Sequence, residues 1–134
     1  MTISPKKILL VHEDRDERGR LAIMLSRFGH EVRFSDGTIS AESPWKESDL
    51  FIVNERLVGK SGIDLICELG KEQQDKIIYL TSGYGVESRP ELQEFNIYEH
   101  IFKPIDPLQL AVVVCDFFVE MAREPVFEMD IREA

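Results

Sequence analysis

The stretch IVNERLVGKSG, Ile52 to Gly62, carries an apolar run into a single polar residue, Asn54, and then breaks into a loop. A buried strand whose last side chain enters a polar site is a common way for α/β proteins to present a reactive group. An asparagine amide neither accepts a phosphoryl group nor brings charge to a metal, so Asn54 offers hydrogen bonds and no nucleophile. Other apolar runs also end on polar residues: His12 and Glu13 after ILLV, Thr81 and Ser82 after KIIYL, and Lys103 with Pro104 after YEHIF. Thr81, Ser82 and Lys103 together have the chemistry of a small-anion site. His12 is a weak candidate for a transition-metal ligand, because Glu13 and Asp14 are its near neighbours and no second histidine stands at ligand spacing.

The elements that would place these groups follow from periodicity. Ile8 to Val11 is a short, wholly apolar run suited to a strand covered on both faces. Leu21, Met24, Leu25 and Phe28 recur at helical spacing, with Asp14 or Asp16 as the cap and Gly29 as the stop. Val32 to Phe34 is a second, weaker strand, and the Ser- and Pro-containing segment after it leaves room for a short or irregular helix around Pro44. Leu50 to Val53 forms a third strand, Ile63 to Leu69 a helix, KIIYLTS a fourth strand, the segment from Pro90 a modest helix, and YEHIFK a fifth strand. A long last helix starts with Asp106 as cap and Pro107 in its first turn. Strict βα alternation implies a parallel sheet with helices on both faces, whose strand ends converge on one crevice.

Composition narrows the function. A chain of 134 residues fits one domain that buries about two thirds of its unfolded surface. With 16 Lys and Arg against 25 Asp and Glu, the net charge is −9 and nucleic acid is not expected as a direct partner. Cys67 and Cys115 sit in apolar helical patterns without zinc spacing and are expected as buried free thiols. The N-terminus has no apolar stretch of signal length and no segment approaches a membrane span, so a cytoplasmic domain over residues 1–122 with a tail over 123–134 is expected, with no membrane partner.

These strand ends resemble the response-regulator receiver family, the phosphoacceptor domains of two-component signalling. The likeness runs from about Lys6 to Ala122: ILLVHED with the following helix, DLFIVNERLVGKSGIDLI with Gly62 eight residues beyond the acceptor position, IIYLTS, and HIFKPIDPLQL. It implies a flavodoxin-like sheet of strand order 2-1-3-4-5, and Thr81 and Lys103 at the positions that contact a phosphoryl group and pair with acids. It also implies that His12, Glu13 and Asn54 occupy positions the family fills with Mg²⁺-holding carboxylates. Asn54 replaces the phosphoacceptor aspartate, and neutral imidazole is a poor Mg²⁺ ligand, so both nucleophile and metal are expected to be lost. Glu55, next along the strand, is expected to point to the opposite face. Lys103 is expected to pair with Glu13 or with the Asn54 carbonyl oxygen. His100 takes the place of the aromatic residue that turns with phosphorylation in many relatives. The expected function is a phosphorylation-independent protein-interaction module rather than an enzyme. The alternatives are phosphorylation on Asp14 or Glu13, and a regulatory small-anion site.

The last helix is unusually apolar. By spacing, Leu110, Val114, Phe117 and Met121 form the core stripe, and Leu108, Val112, Val113 and Val119 fall outside it. Those four residues, with the segment from Pro90 through His100, are the expected surface for a protein partner or a homodimer, the face that the resemblance places on the fourth helix, fifth strand and fifth helix.

Overall fold

The inner strands of the main sheet are built from the apolar runs ILLV, LFIV and IIYL, and a buried cluster covers each face of the sheet. The structure, a computed structural model, describes residues 6–38, 47–82 and 91–122. In chain order the elements are β1 Lys7–Val11, α1 Arg15–Arg27, β2 Glu31–Ser35, β3 Leu50–Asn54, β4 Arg56–Leu57, β5 Lys60–Ser61, α2 Gly62–Leu69, a 3₁₀ turn Lys71–Lys76, β6 Ile77–Thr81, α3 Glu91–Glu94, β7 Glu99–Phe102 and α4 Pro107–Met121. Five strands pair in parallel in the order β2-β1-β3-β6-β7. This is the expected 2-1-3-4-5 order, because β4 and β5 form a separate antiparallel ribbon. The segment around Pro44, the residues just before Glu91 and the tail after Ala122 lie outside the described residues.

Alternation along the strands divides the core. On one face Ile8, Leu10, Ile52, Ile78 and Leu80 pack with Leu21 and Leu25 of α1 and Leu110, Val114, Phe117 and Phe118 of α4. On the other, Leu9, Val11, Phe51, Val53 and Tyr79 pack with Ile63, Leu65 and Ile66 of α2 and with Leu92. Central strands β3 and β6 are buried throughout, whereas β2 at the edge is largely exposed, as its weak pattern suggests.

The caps follow the sequence. Asp14 caps α1 by accepting from the backbone of Asp16 and Glu17, and Gly29 follows the helix with φ 91°. Asp106 caps α4 with Pro107 beside it. Ser61 and Asp64 form a reciprocal capping box that starts α2, a signal present in the SGID tetrapeptide.

Several expected core positions come out differently. Phe28 is 45% exposed at the end of α1, and Met121 is 47% exposed in the last turn of α4, where a helix end leaves the sheet behind. Phe118 is buried in Met121's stead, its ring tilted against that of His30 at 5.2 Å. Val113 leaves the outer set: it is half-buried against the core. Cys67 is exposed and Cys115 half-buried; both are free thiols, and the expectation that both are buried does not hold.

Candidate functional site

The parallel register brings the polar ends of β1, β3, β6 and β7 to one edge of the sheet. Asn54 aligns with Leu80, and Thr81 with Phe102, so Thr81 and Lys103 stand one step beyond the end of β3. The ladder continues past the strands: Glu55 N donates to Leu80 O at 2.9 Å, and Lys103 N donates to Thr81 O at 2.8 Å.

Asn54 is 1% exposed. Its Nδ2 donates to Arg56 O at 2.9 Å, which fixes the amide orientation and holds the loop after the strand. Its Oδ1 is buried without a hydrogen-bond partner. Gly62 presses on the same strand end: Gly62 N donates to Glu55 O at 2.9 Å, and a Cβ at this position would be driven into the Asn54 carbonyl oxygen and the Tyr79 ring. The spacing between Asn54 and Gly62 therefore has a steric cause.

His12 is buried to the same extent as Asn54. Its Nδ1 accepts from Asp14 N at 3.0 Å, so the neutral ring carries its proton on Nε2. Nε2 lies 3.2 Å from Glu17 Oε2, near enough for attraction but too bent for a hydrogen bond. Burial lowers the His12 pKa from its ordinary 6.5; Glu17 and Asp14 oppose the lowering, and Lys103 adds to it. Asp14 is spent on capping α1, and the donated backbone N–H groups of Glu17 and Asp16 hold its carboxyl below the ordinary range. Glu13 is exposed.

Glu55 overturns an expectation. Strict alternation would send its side chain to the opposite face, but the strand ends at Asn54 and the chain bends at Glu55 before β4. The bend carries the carboxylate over the end of β6. Oε2 accepts from Thr81 Oγ1 at 3.0 Å and lies 3.4 Å from Ser82 Oγ, while Oε1 accepts from Ser82 N at 2.9 Å. Lys103 Nζ is 4.0 Å from Oε1, the outer limit of an ion pair. Lys103 is thus paired with Glu55, not with Glu13 or the Asn54 carbonyl oxygen. Burial alone would raise the Glu55 pKa, but donation from the Ser82 backbone, the Thr81 and Ser82 hydroxyls and the Lys103 charge together bring it below the ordinary 4.5. Thr81 is 1% exposed and its hydroxyl serves this carboxylate, which is more than capping a strand.

His100 lies half-buried in β7, its ring edge-on to Tyr79 at 6.0 Å. On α4, Leu108, Val112 and Val119 are 53%, 51% and 60% exposed, as expected for residues outside the core stripe. Among the described residues, no helix is long and apolar enough to cross a membrane. No group of three or more His, Cys, Asp or Glu side chains among them is arranged to hold a metal ion.

No protein-family model matches the chain. It is 30% identical over 118 residues to the DNA-binding transcriptional regulator NtrC of Azospirillum brasilense, a match that takes in 84% of this chain and 24% of that protein. The chain therefore spans about a quarter of the length of the curated relative it matches. Its fold superposes on the receiver domain of NtrX from Brucella abortus with a TM-score of 0.70 at 24% identity, covering 82% of this chain and 96% of that one. A response regulator receiver domain from Clostridium thermocellum gives 0.74 at 18% identity, covering 87% and 96%. Vibrio cholerae chemotaxis protein CheY4 gives 0.72 at 19% identity, covering 85% and 99%. The fold is that of response-regulator receiver domains.

Proposed function

We propose that the chain is a receiver domain of the two-component type that works as a protein-interaction module without aspartyl phosphorylation. The receiver reading is supported by the fold and by the sequence likeness to NtrC. The phosphorylation-independent reading is carried by Asn54, an amide at the acceptor strand end whose Nδ2 is committed to Arg56 O. An amide has no carboxylate to attack phosphorus.

The donor set does not fit Mg²⁺, which takes near-octahedral oxygen ligation. His12 offers a neutral ring whose Nδ1 is already an acceptor, Asp14 is held in a helix cap, and Glu13 faces solvent. No metal or other cofactor is assigned. Phosphorylation on Asp14 is disfavoured by the same cap, and Glu13 is exposed while the Thr81 and Ser82 donors serve Glu55. The module would act in the cytoplasm, on a protein partner or a second copy, through the face made by α3, β7 and α4. Leu108, Val112 and Val119 are exposed apolar residues there, and neither nucleic acid nor membrane is proposed as a partner.

The test is intact-mass spectrometry after incubation with Mg²⁺ and a small-molecule phosphodonor. The mass should not change. A gain of one phosphoryl group, mapped to any carboxylate, would overturn the reading.

A further inference from the structure

We propose that Glu55 is a tethered ligand, its carboxylate filling an oxyanion site built by Thr81 Oγ1, Ser82 N and Lys103 Nζ, so that the site stays occupied without any anion from solution.

The argument starts from what surrounds the carboxylate. Its donors come from separate segments: Thr81 ends β6, Ser82 follows it, and Lys103 follows β7, while Glu55 itself enters from the end of β3. A surface ion pair needs one cation. Here a buried hydroxyl, a backbone N–H and an ammonium ion converge on one anionic group, the composition that holds oxyanions in proteins generally. Both carboxylate oxygens are used, Oε1 by Ser82 N and Lys103 and Oε2 by Thr81. The Ser82 donor is main chain and does not depend on residue type, so the site persists when Glu55 is changed. Glu55 also begins the loop whose next residue is tied to Asn54, which limits how far the carboxylate can withdraw.

A tethered carboxylate competes at a high effective concentration against any free anion. The wild-type site is therefore closed to small oxyanions, and removing the side chain exposes donors suited to a tetrahedral oxyanion, with inorganic phosphate as the probe. The inference deepens the phosphorylation-independent reading and has its own readout. Covalent mass gain tests that reading, and reversible phosphate binding by a variant tests this one.

The experiment follows the Ser82 backbone amide by ¹⁵N NMR during titration with inorganic phosphate, in the wild type and in Glu55→Ala. The expected result is binding at least about tenfold tighter in Glu55→Ala, with the largest shifts at Thr81, Ser82 and Lys103. A folded Glu55→Ala protein that binds phosphate no better than the wild type would overturn the proposal. If that variant does not fold, the wild type alone decides. Lys103 is the charged group facing Glu55, and the Ser82 amide proton shift should follow protonation of Glu55 as pH falls below 4.5. A Ser82 shift that stays flat while the Glu55 carboxyl titrates would equally reject it.

Discussion

Asn54 was legible in the sequence because an apolar run of strand length ends on it, and Thr81 and Lys103 were legible for the same reason. Glu55 was not, because the period-two rule applies to extended backbone and the chain has left the strand one residue earlier than strict alternation assumes. The consequence is measurable as stability. The Glu55 pKa is lowered on folding, so its stabilisation is present above 4.5 and is lost as pH falls through the lower folded value. Glu55→Gln should cost about 1 to 2 kcal/mol at pH 7, and the gap to the wild type should close as pH falls below 4.5 in urea denaturation. A gap that stays constant with pH would remove the charge from the account. His12 also has a lowered pKa, so below 6.5 the unfolded chain takes up a proton that the folded chain resists. Wild-type stability should then fall as pH drops from 6.5 through the folded value. His12→Asn keeps an acceptor for Asp14 N and should flatten that part of the curve, while His30, lowered by its own burial, contributes equally to both proteins. Equal slopes in the two proteins would show that His12 is not the group responsible.

The elements were set by patterns that single residues punctuate. Caps at Asp14 and Asp106 and the stop at Gly29 were readable, as was the span of α2. Phe28 and Met121 are exposed because helical periodicity gives the direction of a side chain and not where the sheet beneath it ends, whereas Cys67 lies inside α2 beside the buried Leu65 and Ile66 and is exposed all the same. The packing of α2 against the end of β3 makes a sharper claim. Ser61 starts the helix with a capping box, and Gly62 lets it approach the Asn54 carbonyl. Ser61→Ala removes one partner of the box and should cost about 1 kcal/mol. Gly62→Ala forces backbone apart and should cost more, about 2 to 4 kcal/mol, while also disturbing the Asn54 amide resonance. Equal costs for the two variants would mean that the close approach relaxes freely and Gly62 does not position the site.

At the scale of the whole molecule, the parallel sheet follows from βα alternation and handedness, whereas its strand order is legible only through the resemblance to receiver domains. What associates with the domain is written more faintly, in residues that the core does not use. Leu108, Val112 and Val119 are four and seven residues apart, so they fall on one line of α4, with half-buried Cys115 between them. Fully burying a Leu or Val is worth about 1.5 to 3 kcal/mol, and these side chains are already about half covered, so three of them contribute a few kcal/mol against the cost of association. A micromolar complex needs about 8 kcal/mol net of that cost, so the three residues are the centre of a larger interface and not the whole of it. Val113 is the wrong place to probe it, because it packs on the core and a charge there would test folding. Val112→Lys with Val119→Glu changes the exposed line alone. Sedimentation velocity should show the wild type self-associating at about tens of micromolar and the double variant monomeric with an unchanged urea midpoint. A wild-type protein that sediments as the double variant does, at every concentration tested, would remove the homodimer and leave the stripe to a different protein.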